Sequence, residues 1–229
     1  MKIICIPGLG GHKNVFKNYA KEFPDFDVRF VQLINWRKTY EEVARMVDDM
    51  PAGEQVVLLC NCYGAQTALR VMYHHESKVA GLVVIEPFFW QFATYQLWGV
   101  WMSAFVAWLA KYKKYLGLQR KKLGTVDYAY VEQQPLFIQP LFDLKHQRSE
   151  HYFAKIHDIA TFRLPLRVET PTLFIFSPKG WMRDPAKHEK LKQIFVHSTL
   201  VELGADTHNI VTISRLEIAK AIREWLARL

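Results

Sequence analysis

The sequence has few cysteines and no segment typical of export. It contains three, Cys5, Cys60 and Cys62, among 229 residues, and a small, odd number does not suit the disulfide framework of a secreted protein. The N-terminus has one lysine and a short apolar stretch that Pro7 and Gly8 interrupt, so it predicts a strand rather than a signal peptide. We therefore expect reduced thiols in a cytoplasmic protein.

The sequence also lacks the motifs of nucleic-acid binding. It carries 30 Lys and Arg residues against 22 Asp and Glu residues, a net charge of +8. No zinc-finger, RNP-type or helix-turn-helix signature accompanies that charge, so we expect no nucleic-acid partner. The basic cluster at residues 111–122 is typical of a solvated charged face, and it would also suit coenzyme A, an acidic carrier protein or an anionic membrane surface.

Metal-ligating clusters are missing as well. Cys60 and Cys62 form a C-x-C pair, but no second group of thiolate and imidazole ligands accompanies them, as a zinc site would require. The sequence predicts neither a metal site nor a cofactor. Buried cysteine at a strand end is common, and this structural interpretation suits Cys5 and Cys60.

The sequence has enough hydrophobic residues to form one large core, since they make up half of the chain. Apolar, β-branched runs alternate with helical patterns, which predicts an α/β fold with a mostly parallel sheet of about six strands flanked by helices. The predicted strands are 2–6, 27–34, 55–60, 80–86, 171–177 and 199–203. Helices are predicted at 39–50, where Thr39 and Glu42 form a capping box, and at 213–229.

The stretch CNCYGA, residues 60–65, lies where a buried strand ends and a helical pattern begins. A strained strand–turn–helix that exposes a nucleophile has the pattern small-x-nucleophile-x-small, because neighbours two positions away must avoid a clash. Centred on Cys62, the pattern has Cys60 and Gly64 at the small positions. The sequence therefore predicts Cys62 as a nucleophile.

These residues resemble the nucleophile elbow of the α/β-hydrolase superfamily, and the resemblance extends over nearly the whole chain. IPGLGGH, residues 6–12, is similar to the glycine loop that follows an early strand in that family. The resemblance implies an oxyanion hole made by the backbone N–H groups of Leu9 and Tyr63. Two fixed donors of this kind stabilise the charge that develops on a carbonyl oxygen.

The resemblance also implies a base and an acid. The loop after the last predicted strand looks like the family's histidine loop and makes His208 the general base, which would favour the thiolate of Cys62. Where the family usually has its acid, this sequence has Gly180. Two carboxylates remain as candidates: Glu86 at the end of the strand after the elbow, which we favour slightly, and Asp184, whose Asp-Pro setting is also typical of a helix N-cap. A dyad without an acid is a third possibility, since a thiol needs less help from a base than a hydroxyl.

Residues 88–170 interrupt the alternation and predict a large aromatic-rich helical lid between core segments 1–87 and 171–229. Residues 88–110 contain four tryptophans and no charged residue. A membrane span of this length would separate the halves of the sheet, so a lid is the better interpretation. Trp101 and Phe105 recur at helical spacing and are predicted to line an acyl pocket, although core packing explains such a stripe equally well. Loose attachment of the lid to a membrane surface is a second hypothesis.

Together these features predict an acyl-transfer enzyme, a thioesterase or acyltransferase that forms a Cys62 thioester with a hydrophobic acyl group carried on coenzyme A or an acyl carrier protein. Family members with cysteine nucleophiles include dienelactone hydrolase and polyester synthases. A carboxylic-ester or lactone hydrolase of the dienelactone-hydrolase type is therefore an alternative. A non-catalytic binding protein with this fold is another, and Gly180 is its main support.

Overall fold

The computed structural model describes residues 1–8, 13–32, 36–87, 89, 158, 161–178, 182, 184–204 and 210–229. The chain divides into two compact units, residues 1–89 with 164–229, and residues 90–163. The account below concerns the first unit. The predicted lid, with Trp101 and Phe105, lies outside the described residues.

The core of this unit is a six-stranded parallel sheet, which confirms the predicted fold class. The strands are β1 (Lys2–Ile6), β2 (Asp27–Phe30), β3 (Val56–Asn61), β4 (Val79–Ile85), β5 (Thr172–Phe176) and β6 (Ser198–Glu202). Their spatial order is β2-β1-β3-β4-β5-β6, and every neighbouring pair is parallel.

The central strands are apolar on both faces, as a parallel sheet covered on both sides requires. All residues of β5 are buried, and in β3 all are buried except the last, Asn61. The edge strands β2 and β6 are only partly buried. The continuous Val, Ile and Leu runs of the sequence therefore predicted the central strands well.

In the described part of the chain, helices lie between consecutive strands and after the last strand. They are α1 (Tyr19–Glu22), α2 (Trp36–Asp48), α3 (Gly64–His74), α4 (Pro185–Ile194), α5 (Ile210–Ile213) and α6 (Arg215–Leu226), with short 3-10 helices at Lys13–Phe16 and Glu76–Lys78. Among the described residues, no helix has the length and apolar character needed to cross a bilayer.

The strand order reverses between β1 and β3, and the space outside the carboxyl ends of these two strands is called the crevice below. From β1 the chain moves outward to β2, and then returns to the other side of β1 to form β3. In an open parallel sheet, ligands bind at such a reversal, outside the carboxyl ends of the strands. Gly8 follows β1 and Cys62 follows β3, so both residues lie at this crevice.

One predicted helix start is wrong. The capping box at Thr39 does not form, because α2 begins at Trp36 and the buried Thr39 hydroxyl donates to the carbonyl of Gln32 at 3.3 Å. At Thr39 a tertiary contact therefore overrides the local pattern. The predicted C-terminal helix is observed as α6, and the short helix α5 precedes it, separated by Ser214.

The N-terminal and C-terminal parts of the chain pack together on one face of the sheet. Tyr19 is fully buried, stacks on Phe23 and donates its hydroxyl to the carbonyl of Val211 at 2.9 Å. Burial raises the pKa of the Tyr19 phenol well above its usual value, so the hydroxyl keeps its proton and remains a donor. The Arg215 guanidinium lies 3.0 Å from the Glu22 carboxylate at the margin of the same contact.

We expect Tyr19→Phe to destabilise the protein by about 1–3 kcal/mol, because the variant leaves the buried carbonyl of Val211 without its donor. Urea unfolding followed by circular dichroism would measure the loss. Tyr73→Phe is the matched control, since Tyr73 is 73% exposed and its variant should unfold like the parent. Equal stability of the two variants would contradict the assigned role of the hydrogen bond.

Candidate active site

Cys62 lies on a sharp turn between β3 and α3. Its N–H donates to the carbonyl of Ile85 at 2.9 Å, which extends the β3–β4 ladder by one residue, and its carbonyl accepts from the N–H of Ala65 at 3.2 Å. Its φ is 48°, in the left-handed region that residues other than glycine rarely adopt. The turn thus has the strained strand–turn–helix geometry that the sequence predicted.

Gly64 shows why the turn needs a small residue two positions after Cys62. A Cβ atom on Gly64 would lie 2.5 Å from the carbonyl oxygen of Ile6 and 2.6 Å from that of Pro7. Both atoms belong to the backbone at the end of β1, so they cannot move aside without displacing the strand. Glycine therefore allows α3 to begin directly against β1.

The other small position is filled by a buried cysteine. Cys60 is completely buried, and its thiol donates to the carbonyl of Val83 on β4 at 3.2 Å. Burial raises the pKa of the Cys60 thiol well above its usual value, with a smaller contribution from neighbouring cysteines. Burial also raises the pKa of Cys5. These findings support the structural interpretation of both residues, whereas Cys62 is partly exposed.

Gly8, from the predicted glycine loop, lies against the turn. A Cβ atom on Gly8 would be 3.2 Å from the Cβ of Cys62 and 3.4 Å from the Nδ2 of Asn61. The start of this loop is therefore in contact with the residue predicted as the nucleophile. Leu9, the predicted oxyanion donor of the loop, lies outside the described residues. Tyr63, the other predicted donor, is buried at the start of α3.

Glu86 occupies the matching position on the next strand. Asn61 and Ile85 are paired in the β3–β4 register, so Cys62 and Glu86 each follow their strand by one residue at the same edge. The carboxylate of Glu86 is buried and accepts the N–H of Ser177 at 2.6 Å. Its φ is 49°, and Cys62 and Glu86 are the two residues other than glycine with positive φ in the described part of the chain.

Asp184, the second candidate acid, caps α4. Its Oδ1 accepts the N–H of Ala186 at 3.0 Å, Pro185 occupies the first helical turn, and the carboxylate is exposed. The predicted N-cap is thus confirmed. Gly180 and His208 lie outside the described residues, so the structure does not place the predicted base against either carboxylate.

Asn61 is a further polar residue at these strand ends, and in the predicted turn pattern it fills only the unspecified position between Cys60 and Cys62. It is the one residue of β3 that is not fully buried, and its side chain reaches Gly8. The sequence did contain a signal for Asn61 as a site residue. It is a polar residue that ends an otherwise apolar strand, directly before a predicted nucleophile.

A separate cleft of about 380 Å³ opens at the opposite end of the strands, where their amino ends lie. Gln55, Val79 and Pro171 line it, and these residues lie at or just before the amino ends of β3, β4 and β5. None of the predicted site residues lines this cleft. It is therefore distinct from the crevice at Cys62.

No family model matches the sequence, and no curated protein matches it. Solved structures do match. An esterase from Thermogutta terrifontis superposes with a TM-score of 0.71 at 14% identity, over 100% of this chain and 90% of that one. MenH from S. aureus has a TM-score of 0.69 at 16% identity, over 100% and 94%. An epoxide hydrolase from Bacillus megaterium has a TM-score of 0.68 at 10% identity, over 98% and 93%. At these identities the similarity concerns the fold alone.

We expect iodoacetamide to modify one cysteine in the native protein and all three in denaturant. The thiolate is the reactive form, and burial both shields Cys5 and Cys60 and keeps them protonated, whereas Cys62 is partly exposed. Intact-protein mass counts the adducts. Cys62→Ala should remove the native adduct, and labelling of Cys5 or Cys60 in the native protein would contradict the burial described above.

Proposed function

Because the chain has the α/β-hydrolase fold, we propose that it is an acyl-transfer enzyme that forms a thioester on Cys62. The observation that carries the proposal is the backbone of Cys62, which has a φ of 48° directly after a central parallel strand. Backbone strain of this kind costs about 1–3 kcal/mol and clusters at functional sites. A cysteine with only a packing role would have no need of it.

The surroundings of Cys62 also favour a reactive thiol. The other two cysteines are fully buried and their pKa values are raised, whereas Cys62 reaches the surface. Cys62 also follows β3 at the reversal of strand order, which is where open parallel sheets bind ligands. Gly8 lies against the Cβ of Cys62, and Gly64 lets α3 begin against the end of β1. This close approach of the two segments suits an oxyanion hole built from the N–H groups of Leu9 and Tyr63.

Glu86 is the acid that the geometry favours over Asp184. It is buried at the carboxyl end of the strand adjacent to β3, and its backbone is held in a left-handed conformation. Asp184 is exposed, and an ordinary helix cap explains it. The N–H of Ser177 donates to the Glu86 carboxylate, and this bond fixes the side chain at the end of β4, where it could orient an imidazole.

His208 is our proposed base, and the connectivity of the chain supports it. It follows β6 at the carboxyl edge in sequence, as Cys62 follows β3. His74 and His75 end α3, and His197 precedes β6, so these three belong to the opposite edge. His188 packs its ring on Phe176, and its Nε2 contacts the carbonyl of Met182, so that ring is already engaged.

In the proposed reaction, His208 takes the proton from Cys62, and the thiolate sulfur forms a bond to the carbonyl carbon of the acyl donor. The π electrons of the carbonyl move to its oxygen, which the oxyanion hole binds. They return as the bond to the leaving thiol or alcohol breaks, and the imidazolium protonates that leaving group. An acceptor, water in a hydrolase, then attacks the Cys62 thioester in the same way, and the thiol is regenerated.

We propose a hydrophobic acyl thioester, on coenzyme A or an acidic carrier protein, as the donor. The net charge of +8 favours an anionic carrier, and thioesters react readily with thiolates. Ester and lactone hydrolysis of the dienelactone-hydrolase type, and ligand binding without catalysis, are the alternatives. The first experiment below separates all three.

We expect acyl thioesters and activated esters of increasing chain length to add one acyl group to the protein, detected by intact-protein mass after brief mixing. Cys62→Ala should show no adduct. A short-lived adduct with release of free acid would indicate a hydrolase, and a persistent adduct that an added thiol or amine removes would indicate a transferase. Reaction with the short-chain activated esters and with no thioester would favour the ester-hydrolase alternative. If the protein forms no adduct and shows no turnover with any member of the panel, the enzyme proposal is overturned.

We expect Glu86→Gln to lower the acylation rate at least about ten-fold, because an amide does not stabilise an imidazolium as a carboxylate does. The glutamine oxygen can still accept the N–H of Ser177, so the fold should survive. Asp184→Asn is the matched control: asparagine also caps helices well, and its rate should equal that of the parent. The opposite result, with Asp184→Asn slow and Glu86→Gln unchanged, would move the acid to Asp184.

A further inference from the structure

Asn61 lies at the point where the apolar surface of β3 reaches the crevice. Residues two apart in a strand share a face, so Asn61 continues the face of Val57 and Leu59, which are buried in the core. Asn61 itself is only partly buried. A polar carboxamide thus replaces aliphatic packing directly before Cys62.

The donor end of this carboxamide faces the turn. A Cβ atom added to Gly8 would lie 3.4 Å from the Nδ2 of Asn61 and 3.2 Å from the Cβ of Cys62. Both atoms are therefore close to the same point beside Gly8. The Oδ1 of Asn61 is buried and accepts no hydrogen bond from the described part of the chain. The amide therefore presents N–H groups next to the sulfur-bearing side chain.

A buried amide oxygen without a donor is costly, and native proteins keep few of them. A hydrophobic residue of similar size would avoid that cost at this position. Since the described part of the chain offers this oxygen no donor, a carboxamide here is explained if the N–H groups at its other end serve a purpose. Neutral N–H donors fixed in a partly buried site are the groups that stabilise a developing oxyanion.

We infer that Asn61 is a catalytic residue whose side-chain N–H donates to the oxyanion formed when Cys62 attacks a carbonyl carbon. The inference rests on the proposed function of Cys62. The donor adds to the backbone N–H groups proposed above and binds the oxygen that receives the π electrons of the carbonyl. A reaction at Cys62 that forms no oxyanion does not use this hydrogen bond from Asn61.

Two reactions of the same thiol test this role. With enzyme in excess, p-nitrophenyl acetate acylates Cys62 through an oxyanion, whereas iodoacetamide alkylates it by direct displacement of iodide. We expect Asn61→Ala to slow acylation about 100-fold and to leave the alkylation rate unchanged. Asn61→Asp, which keeps the shape but replaces the donor by a negative charge, should lose at least as much acylation.

Thr67→Val is the matched control, because Thr67 is also buried and its hydroxyl has no hydrogen-bond partner among the described residues. Its acylation rate should equal that of the parent. Equal acylation by Asn61→Ala and the parent would overturn the role of Asn61 and leave Cys62 as the nucleophile. A parallel loss of acylation and alkylation would also overturn it, since Asn61 would then only shape the turn. If the parent itself is not acylated, the proposed function fails, and the inference fails with it.

Discussion

The close approach of α3 to the end of β1 is the constraint on which the candidate site depends. Gly64 begins the helix against the carbonyl oxygens of Ile6 and Pro7, at distances that no side chain tolerates. Because the helix starts there, the chain has only Cys62 and Tyr63 in which to turn from β3 into α3. Such a short turn forces Cys62 to positive φ and carries its thiol out of the sheet.

The parallel sheet brings residues from distant parts of the chain next to this turn. The carboxyl ends of parallel strands meet at one edge, so the residues that follow β1, β3, β4 and β5 become neighbours. The hydrogen bond from the N–H of Ser177 to Glu86 joins positions 91 residues apart, and Gly8 touches both Asn61 and Cys62. The ladder bond from Cys62 to Ile85 helps to hold the strained turn in place.

The two left-handed residues after β3 and β4 have different chemistry. Cys62 carries a soft nucleophile that is partly exposed, and Glu86 carries a buried carboxylate fixed by a backbone donor. A thiol and a carboxylate held at adjacent strand ends are two of the groups that a Cys-His-acid site needs. The resemblance to hydrolase structures concerns the fold, and the chemistry proposed for this chain depends on these side chains.

Local sterics and periodicity allowed much of this to be predicted from the sequence. The turn at Cys62, the small residue at position 64 and the helix cap at Asp184 follow from rules that involve a few consecutive residues. The start of α2 did not follow, because the hydroxyl of Thr39 bonds to Gln32 rather than to the first turn of the helix. The capping box describes the same residues in isolation, and the tertiary contact overrides it.

The parallel α/β sheet, its buried central strands and the strained turn could be predicted from the sequence, because hydrophobic periodicity and backbone sterics act over short stretches. Which residues meet at the carboxyl ends of the strands depended on the folded chain. It brought Gly8 to Asn61 and Glu86 to Ser177, and it left Asp184 exposed at a helix start. Strand order determines such neighbours, and strand order depends on packing between distant segments that no local pattern encodes.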